Sequence, residues 1–428
     1  MAKITSVRGF KDILPDEAGK WHAVESTARR IFADFGIQEI GIPILEKTEL
    51  FKRGIGETTD IVEKEMYTFL DRNNEYLTLR PEATASVIRA YVEHHLYETY
   101  PLAKLYTIGP MFRRERPQKG RFRQFHQINV EYIGQEDPHV DADLLFMLIH
   151  FLEAVGLTEL NLELNSLGCA QCRPSFKPRL LAFLNERRDG LCEDCRRRLE
   201  TNPLRVFDCK VESCREIIAG APLMLDFLCP ECIDHFDRVR AYLDDLDISY
   251  GVNKQMVRGL DYYTRTAFEI TTHALGAQNA VTGGGRYDGL VELLGGPAIP
   301  GIGFAIGFER LVSMIPKENE EYLDRPDLYI ASLGEEARHF AFLLCNALRK
   351  RGIKAETDFS VKSLKSQMKR SDKLNCPFTL IVGEEEMKKG EAPLRNMITK
   401  EQRAIVTKSI DGALETLAPL LVVESTDK

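Results

Sequence analysis

Eight of the chain's ten cysteines fall between Cys169 and Cys232, and their spacing restricts what that stretch can fold into more than any other feature. Cys169 and Cys172, Cys192 and Cys195, and Cys229 and Cys232 each have two residues between them, and Cys209 and Cys214 have four. Thiolates this close in sequence chelate one tetrahedral ion two pairs at a time, so the four pairs can supply one or two structural Zn2+ sites. Disulfides are the alternative, but a cytosolic chain keeps its thiols reduced. The spacing does not say which pairs join. A catalytic metal is not expected, because no open-site His/Asp set accompanies the thiolates. Cys345 and Cys376 stand apart and read as ordinary buried thiols.

The cysteine-rich, highly charged segment separates two stretches of different character. A length of 428 residues suggests about three domains. The expected division is a core formed by 1–165 and 251–316, an insertion at 166–250, a linker at 317–326 and a final domain at 327–428. In the first part, Trp21, Val24, Ala28, Ile31, Phe32 and Phe35 recur at three and four residues, an amphipathic helix with Gly36 to end it. GIQEIGIPILEKTELF reads as an extended segment, with Pro43 suited to a sheet edge. Strand-like runs follow at Met66 to Leu70, Tyr76 to Leu79, Leu105 to Phe112 and Gln127 to Ile133, with a helix around Ala83 to His94. Strands at this spacing without regular helical crossovers predict an α+β domain on an antiparallel sheet flanked by helices. In the last part strand and helix alternate through LYIASL, Glu335 to Arg351, a strand near Lys354, Val361 to Asn375 and FTLIVG, which predicts a small, mainly parallel α/β domain.

The N-terminus has no apolar stretch suited to a signal peptide, and no run approaches the roughly 18 apolar residues of a membrane helix. The expectation is a cytoplasmic protein without a membrane partner. A net charge of −8 argues against indiscriminate nucleic-acid binding, yet Lys104 to His126 holds seven Lys and Arg against the single acid Glu115. Within it, Arg113 and Glu115 stand two apart at the end of an apolar run. Together with the glycine-flanked Arg310 in GIGFAIGFERL, these arginines predict a polyphosphate pocket, since a guanidinium stays charged and can bond two phosphate oxygens at once.

Arg113-Arg114-Glu115 and Gly307-Phe308-Glu309-Arg310 resemble motifs 2 and 3 of class II aminoacyl-tRNA synthetases. VRGLDYYTRTAFE at Val257 to Glu269 and GGGRYDGLVELLGG at Gly283 to Gly296 are similar to the two motifs particular to the histidyl-tRNA synthetases, and GIQEIGIPILEKTELF to the dimer-forming motif 1. The resemblance implies a homodimer that joins L-histidine to ATP as histidyl-adenylate and passes it to the 3′ end of tRNA(His), with the C-terminal domain reading the anticodon.

What the resemblance implies for single residues is specific. Arg113 and Arg258 would be catalytic, holding the α-phosphate and the histidine carboxylate. Arg258 stands where several relatives use a metal ion, and a fixed charge there favours the transition state over the ground state. Arg113, Glu115, Arg121 and Arg310 would bind ATP in its Mg2+ complex. Glu82, Thr84, Arg113, Gln127, Glu131, Arg258, Tyr262 and Tyr263 would bind histidine, with one of the adjacent tyrosines in the core if both lie on a strand. Arg116 and Gln118 would meet the tRNA acceptor end. On its own, the triple glycine at Gly283 could bring backbone close to a ligand or equally form a turn or bulge, and Arg258 could simply satisfy Asp261. Many relatives lack such cysteines in this insertion. A non-enzymatic regulatory paralogue is the rival reading, but such proteins typically lack the C-terminal domain and disturb the motif arginines.

Overall fold

The structure, a computed structural model, describes residues 3–57, 59–117, 120–272, 280–315 and 325–422. The chain divides into two compact units, Met1–Glu321 and Tyr322–Lys428. Most of the expected linker, 317–326, lies outside the described residues.

The first unit is organised by the strands β1 (Gln38–Glu39), β2 (Leu45–Lys47), β3 (Tyr67–Leu70), β4 (Tyr76–Leu79), β5 (Ala103–Phe112), β6 (Gln124–Ile133), β7 (Asn161–Ser166), β8 (Tyr250–Val252), β9 (Thr264–Thr271), β10 (Ala280–Arg286) and β11 (Gly301–Gly307). Eight of them form one sheet in the order β1-β5-β6-β11-β10-β9-β7-β8. Its interior pairs are antiparallel, as expected, while the two edge pairs, β1 with β5 and β8 with β7, are parallel. A small antiparallel sheet, β2-β4-β3, stands beside it.

Helices cover the large sheet because their sequences present apolar stripes. Pro15–Asp34 starts with Pro at its first turn, buries Val24, Ala28, Ile31 and Phe32, and ends where Gly36 turns to φ +70. Pro138–Ala154 is capped by Asp137, whose carboxylate accepts the His139 N–H at 2.9 Å. Thr48–Ile55 is helical, where an extended reading was expected. Its Phe51, Gly54 and Ile55 are buried, a helical spacing that the isoleucine-rich segment before it obscured. Pro43 lies between β1 and β2 rather than within a strand.

Between β7 and β8 the chain forms helices Arg173–Asn185, Glu193–Thr201, Glu212–Ile218 and Pro230–Asp245 with short 3-10 turns. Their common interior holds Phe176, Leu180, Leu184, Leu199 and Val206 together with the buried Cys172, Cys195, Cys214 and Cys232.

In the second unit, β12 (Leu328–Ser332), β13 (Ala355–Thr357), β14 (Phe378–Val382), β15 (Glu391–Asn396) and β16 (Gln402–Val406) form a sheet in the order β13-β12-β14-β15-β16. The first three are parallel and the last two join antiparallel. That hairpin-like extension is short and polar, so the expected alternation of strand with helix does not reveal it. Cys345 and Cys376 are both buried there and donate to the carbonyls of Ala355 and Pro326, each at 3.2 Å.

Candidate active site

Glycine makes room for the centre of the large sheet to become a pocket. β6, β11 and β10 form its floor, and a Cβ at Gly303 would stand 2.7 Å from the Glu131 carboxyl carbon. At Gly283 a Cβ would stand 2.6 Å from the Arg258 guanidinium carbon. These glycines therefore seat protein groups against the sheet; the triple glycine is an interior strand with a register irregularity between Gly285 and Arg286, and Gly283 lines the cavity. A Cβ at Gly284 would press on Phe304 Cα at 2.8 Å, which explains its neighbour in the same way.

The resulting cavity, about 420 Å³, is lined by Glu82, Thr84, Arg113, Glu115, Arg121, Gln127, Arg258, Tyr262, Tyr263 and Arg310. Residues from distant parts of the sequence thus meet in one place. Glu131 lies just behind the wall, fully buried and bonded to the lining residues Thr84 and Tyr287. Arg116 is exposed on the loop after β5 and does not line the cavity. Gln118 lies outside the described residues.

One end of the cavity is built from carboxyls and hydroxyls. Glu82 accepts the backbone N–H groups of Thr84 at 2.8 Å and Ala85 at 2.9 Å, which ties it to the start of the helix Thr84–Glu93. The Thr84 hydroxyl donates to Glu131 at 2.7 Å and the Tyr287 hydroxyl to its other oxygen at 2.5 Å. Burial pushes the Glu131 carboxyl up to about 8, against these two hydrogen bonds, and the nearby Glu82 adds to the rise. Burial raises Glu82 likewise. Two such carboxyls in one cavity suit a ligand that brings positive charge or N–H donors.

The other end is cationic. Arg113 donates through Nε to the Pro81 carbonyl at 2.8 Å and lies over the Phe125 ring at 5.2 Å, so its outer nitrogens face the cavity beside Glu115. Glu115 also stands 3.3 Å from Arg121. Arg310 donates to the Ala280 carbonyl; its burial, and then the charge of Arg121, make its own charge costlier. An anion placed between the two would relieve that cost. Arg258 pairs with Glu269 at 2.8 Å, not with Asp261, whose carboxylate accepts from Asn202 at 2.6 Å. The Arg258 Nε is buried with no hydrogen-bond partner.

Tyr262 and Tyr263 both line the cavity with ring centres 4.7 Å apart. Tyr263 is buried with Leu167, Met256 and Ala267 in a core cluster, so one of the pair is core as expected, although both precede β9 in a turn rather than alternating on a strand. Glu309 accepts the His126 N–H and stands 3.0 Å from His126 Nδ1, and Trp21 stacks on Phe308 at 4.5 Å. Together these pin the helix Phe308–Met314 to β6 and leave Arg310 on the cavity side.

Asn129, Tyr287 and Glu269 are polar lining residues that were not anticipated. Asn129 had a readable signal, since Gln127, Asn129 and Glu131 alternate along β6 and share one face. Its side-chain oxygen and nitrogen are both buried without a partner, as is the Gln127 oxygen. Buried polar atoms left unpaired in a cavity wall are what a bound ligand satisfies. Tyr287 gave no such signal because its partner, Glu131, is far away in sequence, and Glu269 gave none because its meeting with Arg258 depends on how the turn before β9 folds back.

The cysteines converge as two groups. Cys169, Cys172, Cys229 and Cys232 close the ends of the inserted segment, and Cys192, Cys195, Cys209 and Cys214 close its middle, each group with its sulfurs within 4.8 Å of one another. The pairs therefore nest, first with last and second with third. Sulfur separations of 3.7 Å for Cys169–Cys172, and 3.8 Å for Cys169–Cys229 and Cys192–Cys209, are far too long for disulfides. They match the edge of a tetrahedron with Zn–S bonds of about 2.3 Å, which is about 3.8 Å. Backbone N–H groups of Gln171, Cys192 and Cys229 point at sulfurs, which suits thiolates. The residues fit a structural metal at each place.

Comparison with known proteins agrees with this arrangement. The family described as histidyl-tRNA synthetase matches residues 9–173 and 192–311, and the anticodon binding domain matches 327–418. The histidine–tRNA ligase of Geobacter sulfurreducens is 57% identical over 399 residues, covering 93% of this chain and 96% of that protein. That of Desulfosudis oleivorans is 56% identical over 412 residues, covering 96% and 97%. The crystal structure of apo S. aureus histidyl-tRNA synthetase superposes with a TM-score of 0.79 at 37% identity, covering 98% of this chain and 99% of that one. The chain belongs to the histidyl-tRNA synthetase family of class II aminoacyl-tRNA synthetases.

Proposed function

We propose that this cavity activates L-histidine with ATP and then charges tRNA(His), releasing pyrophosphate and AMP in turn. The observation that carries the reading is the cavity's polarity: buried Glu82 and Glu131 at one end, Arg113, Arg121, Arg258 and Arg310 towards the other. Glu82, Thr84, Gln127 and Glu131 take the ammonium and the imidazole N–H, with Tyr262 and Tyr263 against the ring. A site whose polar groups need a hydrogen-bonding ring rejects apolar amino acids, because they would leave those groups unpaired.

A carboxylate is already ionised at neutral pH, so adenylate formation needs no general base. The histidine carboxylate oxygen bonds to the α-phosphorus while the bond to the pyrophosphate oxygen breaks in line. Arg113 and Arg258 hold the carboxylate and α-phosphate, and their charge counts most when the α-phosphoryl group is most crowded with anionic oxygen. Arg121 and Arg310 hold the outer phosphates of ATP, which arrives as its Mg2+ complex, and Glu115 orients Arg113 and Arg121. The terminal ribose 3′-hydroxyl of the tRNA then attacks the adenylate carbonyl, and AMP leaves. Arg116 and Gln118 meet the acceptor end on the loop after β5, and 327–428 reads the anticodon.

The assembly we read is a cytoplasmic homodimer with Zn2+ at each cysteine group. Exposed Ile44, Leu45, Phe69, Leu70 and Tyr76 on and beside the small sheet support the dimer. The two cysteine groups have the sulfur spacing of metal-bound thiolates rather than disulfides, which suits a reducing compartment, and no helix among the described residues is long and apolar enough to cross a membrane. The zinc would supply no step of the reaction; it would fix the fold of the insertion. Incubation with ATP, histidine and a tRNA(His) transcript is expected to yield histidyl-tRNA, and no product from folded protein would overturn the reading. Elemental analysis of protein purified under reducing conditions is expected to give about two zinc ions per chain; protein free of metal would overturn the zinc assignment.

A further inference from the structure

The insertion reaches the back of the segment that carries Arg258, Tyr262 and Tyr263. Arg173, next to Cys172, donates to the Tyr263 carbonyl. Asn202 donates through its side chain to the Asp261 carboxylate at 2.6 Å. Arg205 donates to the Arg258 carbonyl at 3.4 Å and stands 3.9 Å from Asp60, just before the cavity residue Ile61. Asn202 ends the helix Glu193–Thr201 and Arg205 lies in the turn Pro203–Asp208. Cys195 and Cys209 therefore bracket both residues, and both cysteines belong to one thiolate group.

The 258–263 segment needs such support. It is neither helix nor strand, so few backbone hydrogen bonds fix it from within. Gly259 adds freedom, and the neighbouring Asp261 side chain is pressed against Gly56, where a Cβ would stand 2.7 Å from its carboxylate oxygen. On the cavity side, among the described residues, Arg258 has one ion-pair partner, Glu269, and an Nε without a hydrogen-bond partner. Its guanidinium rests on bare backbone at Gly283, which limits its approach but does not hold its main chain.

We propose that Asn202 and Arg205 are positioning residues for histidine activation: from the cysteine-closed insertion they clamp the 258–263 segment and thereby set the place of Arg258. The inference rests on the synthetase reading for its kinetic consequence, but the clamp itself is a property of the chain. Metal at the Cys192, Cys195, Cys209 and Cys214 group would then act on catalysis through these two side chains.

The test compares Asn202→Ala with wild type, both with metal content measured. Backbone amide hydrogen exchange in 258–263 should quicken in the variant while exchange in the sheet strands stays unchanged. Histidine-dependent exchange of pyrophosphate into ATP should lose about tenfold or more in kcat, the scale expected of a misplacement below 1 Å, with the KM for ATP within twofold. In an Arg258→Ala background the same Asn202→Ala change should cost nothing further, because the positioned group is gone. Additive losses, or unchanged amide exchange in 258–263, would overturn the clamp. If Asn202→Ala does not fold, Arg205→Gln puts the same comparison. Wild-type protein that shows no exchange with any amino acid would overturn the functional reading, and the amide-exchange comparison would still decide the clamp.

Discussion

Replacing Gly283 with alanine separates positioning from folding. The added Cβ would lie 2.6 Å from the Arg258 guanidinium carbon and from its Nη1. Ordinary contact begins near 3.4 Å, and Nη2 lies closer still than these two atoms, so the guanidinium must retreat by roughly 1 Å. The atoms that move are the far end of a flexible side chain, so the stability loss should stay at or below about 1–3 kcal/mol, the usual range for one extra methyl in a packed site. The catalytic loss should be larger, because a shift of about 1 Å at a group that meets the reacting atoms can cost about 100-fold. Pyrophosphate exchange with saturating histidine and ATP, alongside urea unfolding, reads both quantities. Gly284→Ala is the contrasting control: its Cβ meets the Phe304 backbone at 2.8 Å and should lower stability first. A Gly283→Ala protein with kcat within twofold of wild type would refute the claim that Arg258 works from its seat on β10.

Other outcomes follow from the same contacts. Arg258→Ala should lower kcat for adenylate formation about 100- to 1000-fold, as removal of one transition-state donor does elsewhere, with the fold and the sedimentation coefficient unchanged. Arg286 and Asp141, both fully buried and joined at 2.7 Å, form an ion pair away from the cavity, and Asp288 stands 3.1 Å from the same guanidinium; Asp141→Asn should lower stability in urea unfolding by less than the ~3–5 kcal/mol of a buried pair broken outright, because Asp288 still meets Arg286. Glu131, held protonated up to about pH 8 in the free protein, should lose its proton when a cationic ammonium binds nearby. Calorimetry at pH 7, where free imidazole with its pKa of about 6.5 is largely neutral, should therefore show proton release in buffers of different ionisation enthalpy. That release should fade as the pH rises through about 8, and a buffer-independent enthalpy at pH 7 would contradict it.

Much of this was legible in the sequence because the features are local. Periodicity gave the helix Pro15–Asp34 and the strands β3 to β6, and thiolate spacing gave four chelating pairs. Motif residues from Glu82 to Arg310 meet in one cavity, although nothing in their spacing says that they should touch. The unreadable part is made of contacts between distant segments. The nesting of the cysteine pairs depends on how four short helices pack, and the seat of Arg258 on Gly283 depends on the register of β10 against β9 and β11. Glu269 rather than Asp261 meets Arg258 because Glu269 pairs across the sheet with Gly283, on which the guanidinium rests. Asn129 is the exception, since period-two reading of β6 would have placed it with Gln127 and Glu131.

The central claim is that this cavity activates histidine. Pyrophosphate exchange into ATP, run with each of the twenty amino acids on folded protein with Mg2+ and without tRNA, tests it most directly. The account predicts exchange with histidine and background with the other nineteen; no exchange with any amino acid, or equal exchange with an apolar one, would contradict it.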